Sequence, residues 1–367
     1  MKVSILTMDG GNGTISASLA LKEWLDAKGA DCSVVDFIGE TDAFAGMLAG
    51  LYNRLLRGDL RLASMYMELA HRFPKDWYNT LNAVSRRRAV RLLERERPDV
   101  VVLTSPWIIE PVLGALASAG GRRPRVLTVV VDLGAGMPGQ WWNPGADLTM
   151  LPTAESMAFL QGIGLDPNKA RVAGMPLSPS LMEGRPSKEA GLGTFGLKGP
   201  LCTVMGGREG GSSCLRIAAL LTKEAPDVQV LVQCGRNVPL LRKARKIKGL
   251  AAVGYLENMR ELYAASDVVI TKPGALTVSE LVALRKPFIL DAALAVMPQE
   301  RGNVRFVEDR RLGLVACRHG DIPGMVRSIM DGRRDFGSCD IHGTAHIGKV
   351  ILGEGGIAPD QAGVGGH

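Results

Sequence analysis

The residues best suited to chemistry lie between Ile270 and Asn303, in the stretch ITKPGALTVSELVALRKPFILDAALAVMPQERGN. A short β-branched run predicts a buried parallel strand, and the turn TKPG follows it. From Ala275 apolar residues recur at helical spacing, so a helix should begin there with its unpaired amides above the end of the strand. Such a helix N-terminus is suited to holding an anion, for example a diphosphate.

Polar side chains near this predicted helix are placed to bind the hydroxyl groups of a sugar. Glu280 lies one turn into the helix, where both carboxylate oxygens can accept from the hydroxyls of a sugar diol such as a ribose. Gln299 and Glu300 follow the next predicted strand at the same rim of the sheet, and Asn303 is expected to support their loop. The alternative interpretation of Glu280 is an ordinary acid at a helix start, favoured by the helix dipole.

Three strings in one order carry a family resemblance: CGRN from Cys234 to Asn237, then TKPGALTVSE, then QERGN. They resemble the donor-binding half of the GT-B glycosyltransferases that galactosylate or glucosylate diacylglycerol. They resemble more distantly the enzyme that adds N-acetylglucosamine to the peptidoglycan lipid precursor. The resemblance implies an α/β chain with the GT-B fold, in which two Rossmann-like domains face each other across a cleft. It also implies an inverting hexosyltransferase that uses a UDP-sugar and acts on a membrane lipid of the diacylglycerol type.

The implied donor site combines these strings with a glycine turn and a loop of the second half. Residues 251–256 predict a strand and loop where related enzymes hold the uracil ring through backbone groups. The helix terminus and Lys272 would stabilise the charge that develops on the departing diphosphate, so we expect neither a metal site nor a cofactor beyond the donor substrate. The predicted donor-binding residues are Gly207, Arg236, Tyr255, Lys272, Gly274, Ala275, Leu276, Thr277, Glu280, Gln299, Glu300 and Asn303.

The N-terminal half opens with a strand, a glycine turn that ends at Thr14, and an amphipathic helix. This turn matches neither the dinucleotide fingerprint nor a P-loop. The lipid glycosyltransferases carry three glycines and a His here, and that His is regarded as a catalytic base. Aligning the small residues of the helix puts Thr14 at the His position. The proton acceptor is therefore predicted to be Asp9 or Asp132, each just past the end of a strand.

The loop LGAGMPGQWW, from Leu133 to Trp142, resembles the acceptor-side loop of the galactolipid synthases. Met137 stands roughly where that family has a second His. Trp141 and Trp142 either pack on the glycerol or sugar face of an acceptor or anchor the loop in the core. The predicted acceptor-binding residues are Gly11, Asn12, Gly13, Met137, Trp141 and Trp142.

Length and turn composition predict two domains. A chain of 367 residues with 46% hydrophobic content is long enough to bury two cores. The strand, glycine turn and helix of the N-terminus recur from Leu201, as expected of two Rossmann-like halves. The predicted parts are an acceptor-binding domain over residues 1–176, a linker over 177–200, a UDP-sugar-binding domain over 201–340 and a partly disordered C-terminal segment over 341–367.

Positive charge is concentrated between Arg54 and Arg97, where eleven Lys and Arg stand against five Asp and Glu. This surplus of six makes up most of the formal net charge of +7. With its interspersed aromatic residues the segment is typical of a protein that lies on anionic lipid headgroups. An ordinary solvated helix face is the alternative. No recognition motif accompanies the charge, so nucleic acid is not an expected partner.

The expected location is cytoplasmic, peripheral on the inner face of the cell membrane. The sequence contains neither a cleavage signal nor an apolar run near the roughly 20 residues that span a bilayer. Its six cysteines form no C-x-x-C pair, which indicates reduced thiols and no zinc site. Two alternatives stay open: a glycosyltransferase for a soluble small molecule, and a nucleotide-sugar epimerase or non-catalytic donor-binding protein. The absence of the His at Thr14 keeps the second of these open.

Overall fold

The computed structural model describes residues 1–8, 12–37, 75–118, 122–211, 213–294 and 296–354, and for residues 12 and 75–84 it describes the backbone alone. Asp9 and Gly11 therefore lie outside the described residues, as does all of the basic segment before residue 75. Among the described helices, none combines the length and the apolar composition needed to cross a membrane.

The first sheet contains six parallel strands, which in spatial order are β2 Asp31–Asp36, β1 Lys2–Thr7, β3 Val100–Leu103, β4 Arg125–Val129, β5 Leu148–Leu151 and β6 Ala170–Val172. Its central strand β3 is the run VVVL, which is buried along its whole length, as expected of a parallel sheet with both faces covered. The elements of this half are β1 Lys2–Thr7, α1 Asn12–Ala27, β2 Asp31–Asp36, α2 Lys75–Glu96, β3 Val100–Leu103, α3 Pro106–Ser118, β4 Arg125–Val129, β5 Leu148–Leu151, α4 Ala154–Gln161 and β6 Ala170–Val172.

Two short helices follow in the predicted linker, α5 Pro179–Met182 and α6 Lys188–Thr194. The second of them packs on the second half of the chain, because a Cβ on Gly191 would lie 2.7 Å from the carbonyl oxygen of Glu261. A carbonyl this close leaves room only for glycine. The linker is therefore docked on the second half at this point.

The second sheet also contains six parallel strands, in the order β12-β11-β10-β7-β8-β9. Its elements are β7 Leu201–Met205, α7 Ser213–Glu224, β8 Gln229–Gln233, α8 Val238–Ala244, β9 Leu250–Val253, α9 Arg260–Ala265, β10 Val268–Thr271, α10 Ala275–Ala283, β11 Phe288–Asp291, α11 Arg301–Asp309, β12 Leu314–Ala316 and α12 Ile322–Met330. Two Rossmann-like halves were predicted, and this architecture confirms them.

The strand order of the second sheet reverses between β7 and β10. The loops that follow these two strands therefore diverge and leave a crevice at their carboxyl ends, which is where open α/β sheets bind ligands. Gly206 directly follows β7 and Lys272 directly follows β10. The predicted donor residues thus stand at the position where the topology of the sheet provides a site.

The last described helix, α13 Thr344–Leu352, returns to the first half of the chain. Its Ile347, Val350 and Ile351 are buried in one cluster with apolar residues of β1 and α1. Arg125 of β4 also donates to the carbonyl of Val350 at 2.8 Å. The segment predicted over 341–367 therefore includes a helix that completes the first domain, while its residues from 355 onward lie outside the described part of the chain.

Candidate active site

The turn between β10 and α10 forms the donor side of the candidate site. Gly274 is the N-cap of α10 and has no side chain to bond the first-turn amides. The N–H groups of Ala275, Leu276 and Thr277 therefore point out of the helix end, where the helix dipole favours an anion. The first turn contains no acidic side chain that would repel a diphosphate.

Two glycine turns interlock on the opposite side of the crevice. Gly210 and Gly235 have φ angles of 68° and 55°, in the left-handed region that favours glycine. A Cβ on Gly210 would lie 2.1 Å from the carbonyl oxygen of Cys234, and one on Gly235 would lie 2.2 Å from that of Arg208. Asn237 links the two turns, since its Nδ2 donates to Gly210 O at 3.0 Å. The CGRN string is therefore packed directly against the turn after β7.

Lys272 brings positive charge to the same place. A Cβ on Gly207 would lie 3.1 Å from Lys272 Cε, so the lysine stem passes directly over this glycine. Lys272 Nζ donates to Glu300 Oε1, and Glu300 is buried with 8% of its surface exposed. The predicted residues Gly207, Lys272 and Glu300 thus lie together at the helix end, where the lysine is placed to compensate both a carboxylate and a phosphate.

Glu280 makes a hydrogen bond that the sequence did not indicate. The hydroxyl of Tyr263 in α9 donates to Glu280 Oε2 at 2.6 Å. Burial raises the pKa of Glu280 to about 7, against the hydrogen bond from Tyr263, which lowers it. One oxygen of the carboxylate is therefore oriented by a buried phenol, and the other carries no hydrogen bond from a described residue.

Arg236 and Tyr255 stack on each other at the side of the crevice. The guanidinium carbon of Arg236 lies 4.9 Å from the centroid of the Tyr255 ring. Tyr255 is 39% exposed. These two predicted residues come from the loops after β8 and β9, and together they offer a planar, partly exposed surface suited to contact with a nucleobase.

The QERGN string closes the rim of the crevice. Gln299 has its Oε1 buried without a hydrogen-bond partner among the described residues. A buried acceptor in this state costs free energy unless a ligand donates to it. Asn303 is 1% exposed and donates through Nδ2 to the carbonyl of Pro273 at 2.8 Å, so it supports the turn before α10.

Asp132 lies at the facing edge of the first domain. Its Oδ2 accepts from the indole Nε1 of Trp141 at 2.7 Å. Burial raises the pKa of Asp132 to about 6, the Trp141 hydrogen bond opposes that rise, and the negative charge of Glu300 adds to it. The negative charge of Glu300 therefore acts on Asp132 although the two residues belong to different domains. A carboxylate with this pKa is suited to act as a general base near neutral pH.

Two of the predicted acceptor-binding side chains are buried, which contradicts their predicted contact with an acceptor. Met137 is 3% exposed and Trp141 is 1% exposed, and both belong to the core that joins the two domains. Neither side chain presents a surface to an acceptor, and Trp141 instead anchors the loop through Asp132. Trp142 is half-buried, beside Gly164, whose added Cβ would lie 3.7 Å from the Trp142 Nε1. Of the two tryptophans, Trp142 stays a predicted acceptor contact.

The first glycine turn is described in part. The hydroxyl of Thr14 donates to the carbonyl of Met8 at 2.8 Å, so it closes the start of α1 onto the end of β1. Gly13 has open space where a Cβ would stand. Asn12 begins α1, with its side chain outside the described residues. The assignment of the base to Asp9 or Asp132, and of a catalytic position to Thr14, stays a prediction.

A further acidic residue, Asp291, lies beside Lys272 and Glu300 and was not predicted from the sequence. Asp291 ends β11 and lines a cavity together with Lys272 and Glu300. Its Oδ1 lies 3.0 Å from His319 Nε2, with both side chains almost fully buried. The two residues are 28 positions apart, so no local pattern pointed to the pair. Within the described ranges, no group of three or more His, Cys, Asp or Glu side chains is arranged to share a metal ion.

Two family models match the chain, one in each half. Residues 15–177 match "Monogalactosyldiacylglycerol (MGDG) synthase", and residues 201–296 match "Glycosyltransferase family 28 C-terminal domain". The chain is also similar to the processive diacylglycerol β-glucosyltransferase of Bacillus pumilus, with 25% identity over 339 residues. That alignment covers 90% of this chain and 86% of the relative.

Solved structures agree on the fold. MurG of Acinetobacter baumannii superimposes with a TM-score of 0.55 at 16% identity, over 96% of this chain and all of that one. The UDP-GlcNAc 2-epimerase of Neisseria meningitidis gives 0.58 at 12% identity, over 96% of this chain and 99% of that one. Identities this low show the fold alone. The predicted resemblance and the predicted GT-B fold are both confirmed. The chain is therefore a glycosyltransferase with the GT-B fold, whose halves match the monogalactosyldiacylglycerol synthases and the C-terminal domain of glycosyltransferase family 28.

Proposed function

We propose that this glycosyltransferase moves a hexose from a UDP-sugar to a membrane lipid of the diacylglycerol type, with inversion at the anomeric carbon and without a metal ion or further cofactor. The observation that carries the proposal is the convergence of a helix N-terminus, Lys272 and Glu280 on one crevice. An anion site beside a carboxylate fits a nucleoside diphosphate, whose phosphates need positive charge and whose ribose offers two hydroxyl donors. The acceptor class comes from the similar diacylglycerol glucosyltransferase.

The reaction needs charge stabilisation on the donor side. As the bond between the anomeric carbon and the diphosphate oxygen breaks, its electron pair passes to the diphosphate. The amides of Ala275 to Thr277 and the ammonium of Lys272 face that position. Gln299 and Glu300 accept from hydroxyls of the hexose, which gives the buried Gln299 Oε1 a partner.

The acceptor hydroxyl attacks from the face opposite the diphosphate, which inverts the configuration. Its oxygen forms the new bond to the anomeric carbon while its proton passes to a carboxylate of the first domain. Asp132 is the described candidate, because its pKa of about 6 leaves it ionised yet basic near neutral pH. Asp9 is the alternative base and lies outside the described residues.

Access to a lipid acceptor requires contact with a membrane. The second half of α2 buries Ala89, Leu92 and Leu93 and exposes arginines on its other side, among them Arg87 and Arg91. A basic exposed face is attracted to anionic headgroups. We place the protein on the cytoplasmic face of the cell membrane, bound peripherally through this helix and the basic segment before it.

The test of the function is UDP release from UDP-glucose and UDP-galactose, with and without vesicles that contain diacylglycerol. Release that depends on diacylglycerol, together with a glycolipid product, is the expected result. Release with a soluble alcohol alone would favour a small-molecule acceptor. Conversion of the donor into another sugar nucleotide without release would favour an epimerase, and binding without turnover would favour a donor-binding protein.

Vesicle flotation tests the membrane contact separately. We expect the protein to float with vesicles rich in anionic lipid and to be released as the salt concentration rises, since screening weakens attraction between charges. Vesicles of zwitterionic lipid are the control. Equal binding to both kinds of vesicle would contradict the electrostatic contact while leaving the transferase reaction intact.

A further inference from the structure

Asn303 bonds both domains from a buried position. Its Nδ2 donates to the carbonyl of Pro273 at 2.8 Å, and its Oδ1 accepts from the amide of Leu133 at 3.3 Å. A carboxamide suits this place because one end must donate to a carbonyl while the other accepts from an amide. Pro273 belongs to the donor-side turn before α10, whereas Leu133 follows Asp132 on the acceptor side.

The backbones of the two domains approach closely beside this bridge. A Cβ on Gly134 would lie 2.7 Å from the carbonyl oxygen of Gly302, and a Cβ on Gly302 would lie 2.3 Å from that of Ala135. Any larger residue at either glycine would push the loop and α11 apart. The contact therefore depends on the absence of a side chain at both positions.

Leu133 also accepts a hydrogen bond from a residue of its own domain. Its carbonyl accepts from the hydroxyl of Thr153 at 2.6 Å, so both of its backbone polar groups are bonded. A second link between the domains, from Arg310 at the C-cap of α11 to Glu155 of α4, is solvent-exposed. Exposed ion pairs contribute little. The buried amide bridge of Asn303 is thus the connection best able to fix the position of the loop that carries Asp132.

We infer that Asn303 is a positioning residue, which holds the loop that carries Asp132, the proposed acceptor-side base, in place relative to the donor-side turn before α10. Asn303 touches neither the base nor the leaving group in this arrangement. It acts through Leu133, the neighbour of Asp132, and through Pro273, the residue before the N-cap of α10. The catalytic part of this inference rests on the function proposed above, whereas the bridge itself is independent of it.

Hydrogen–deuterium exchange of the Leu133 amide tests the bridge directly. In Asn303→Ala the amide loses its acceptor, and we expect its exchange to become faster by about tenfold or more, the effect of losing a contact of roughly 1.4 kcal/mol. The amides of β4 should keep their protection, since that strand is bonded within its own sheet. Unchanged exchange at Leu133, or equal acceleration throughout the first domain, would overturn the inference.

Kinetics tests the consequence for the reaction. For Asn303→Ala we expect turnover at saturating substrates to fall by about tenfold or more, and by a larger factor than the affinity for UDP. Misplacement of a reacting group costs rate, whereas loss of the bond to Pro273 O only loosens the donor-side turn. Asn303→Asp should behave similarly, since a carboxylate cannot donate to Pro273 O. Faster exchange at Leu133 combined with undiminished turnover would overturn the positioning role.

Gly302→Ala provides a second approach that leaves the carboxamide in place. The added methyl group meets Ala135 O, so we expect the same faster exchange at Leu133 and the same loss of turnover. Gly324→Ala in α12 is the matched control, because its Cβ would meet nothing within 4 Å. A wild-type protein that transfers no sugar but protects Leu133 through Asn303 would reject the proposed function and support the bridge.

Discussion

Glu280 changes between its ionised and its protonated form near neutral pH, because burial raises its pKa to about 7. The carboxylate accepts from both ribose hydroxyls, whereas the protonated acid offers fewer acceptor sites. The affinity for UDP-glucose should therefore rise as the pH increases from about 6 to about 8. Titration calorimetry measures this, and UDP-glucose is preferred because the terminal phosphate of UDP itself titrates near pH 6.

Substitution of Glu280 by alanine should weaken UDP binding by about tenfold or more, equal to about 1.4 kcal/mol, and should abolish the pH dependence. Tyr263→Phe is the matched variant. It removes a hydrogen bond that lowers the pKa of Glu280, so the midpoint of the pH dependence should move upward. Unaltered UDP affinity in Glu280→Ala would reject the donor site as described.

Substitution of Asp132 is expected to lower turnover and to raise thermal stability. Asp132→Asn should reduce turnover by about a hundredfold or more, the range found for general bases, while donor binding stays unchanged. It should also raise thermal stability at pH 8. The folded pKa of about 6 lies above the ordinary 3.8, so ionisation of the buried carboxyl destabilises the fold as pH rises through that interval. Full activity in the variant would assign the base to another group, with Asp9 as the next candidate.

At the scale of elements, the interlocked turns after β7 and β8 shape the crevice. Gly235→Ala should lower the free energy of unfolding by about 1–3 kcal/mol, because it forces a positive φ and a clash with Arg208 O, and UDP binding should weaken with it. Gly324→Ala serves as control and should stabilise the helix by about 0.5–1 kcal/mol. Chemical denaturation and calorimetry measure both effects. Equal stability of the two variants would contradict the close packing of the turns.

Buried central strands could be predicted from the sequence, and edge strands could not. β3, β7 and β10 are apolar runs, interrupted only by Thr203 and Thr271, and they are buried along their length, so their own composition predicts them. No comparable apolar run marks β2 or β6, whose sequences are DCSVVD and ARV. Both are edges of the first sheet, with mixed burial and polar residues. An edge strand is specified by its neighbour more than by its own composition.

At the scale of the molecule, the return of α13 to the first domain joins the two ends of the chain. Ile347 is fully buried against the first sheet. Ile347→Ala should therefore lower the free energy of unfolding by about 2–5 kcal/mol. Ile163→Ala is the control, because Ile163 is 49% exposed and its loss should change stability by about 0.5 kcal/mol or less. A comparable loss in both variants would mean that α13 adds nothing to the first domain.

The donor half of the site was readable from the sequence because its parts are local. A strand, a turn and a helix in succession place Lys272, the helix amides and Glu280 near each other whatever the rest of the chain does. The glycines after β7 likewise predicted a turn between that strand and the next helix. These local units carry the family resemblance and the prediction of a donor site.

Only the tertiary structure decided how the two halves meet. The bond between Leu133 and Asn303 spans 170 positions, and the influence of Glu300 on Asp132 spans nearly as many. The pairing of Tyr263 with Glu280 and the burial of Met137 and Trp141 likewise depend on packing between elements. Such contacts are fixed by the docking of two sheets, and no spacing along the chain encodes them. The sequence therefore determined which groups are present, and the packing of the domains determined which of them act together.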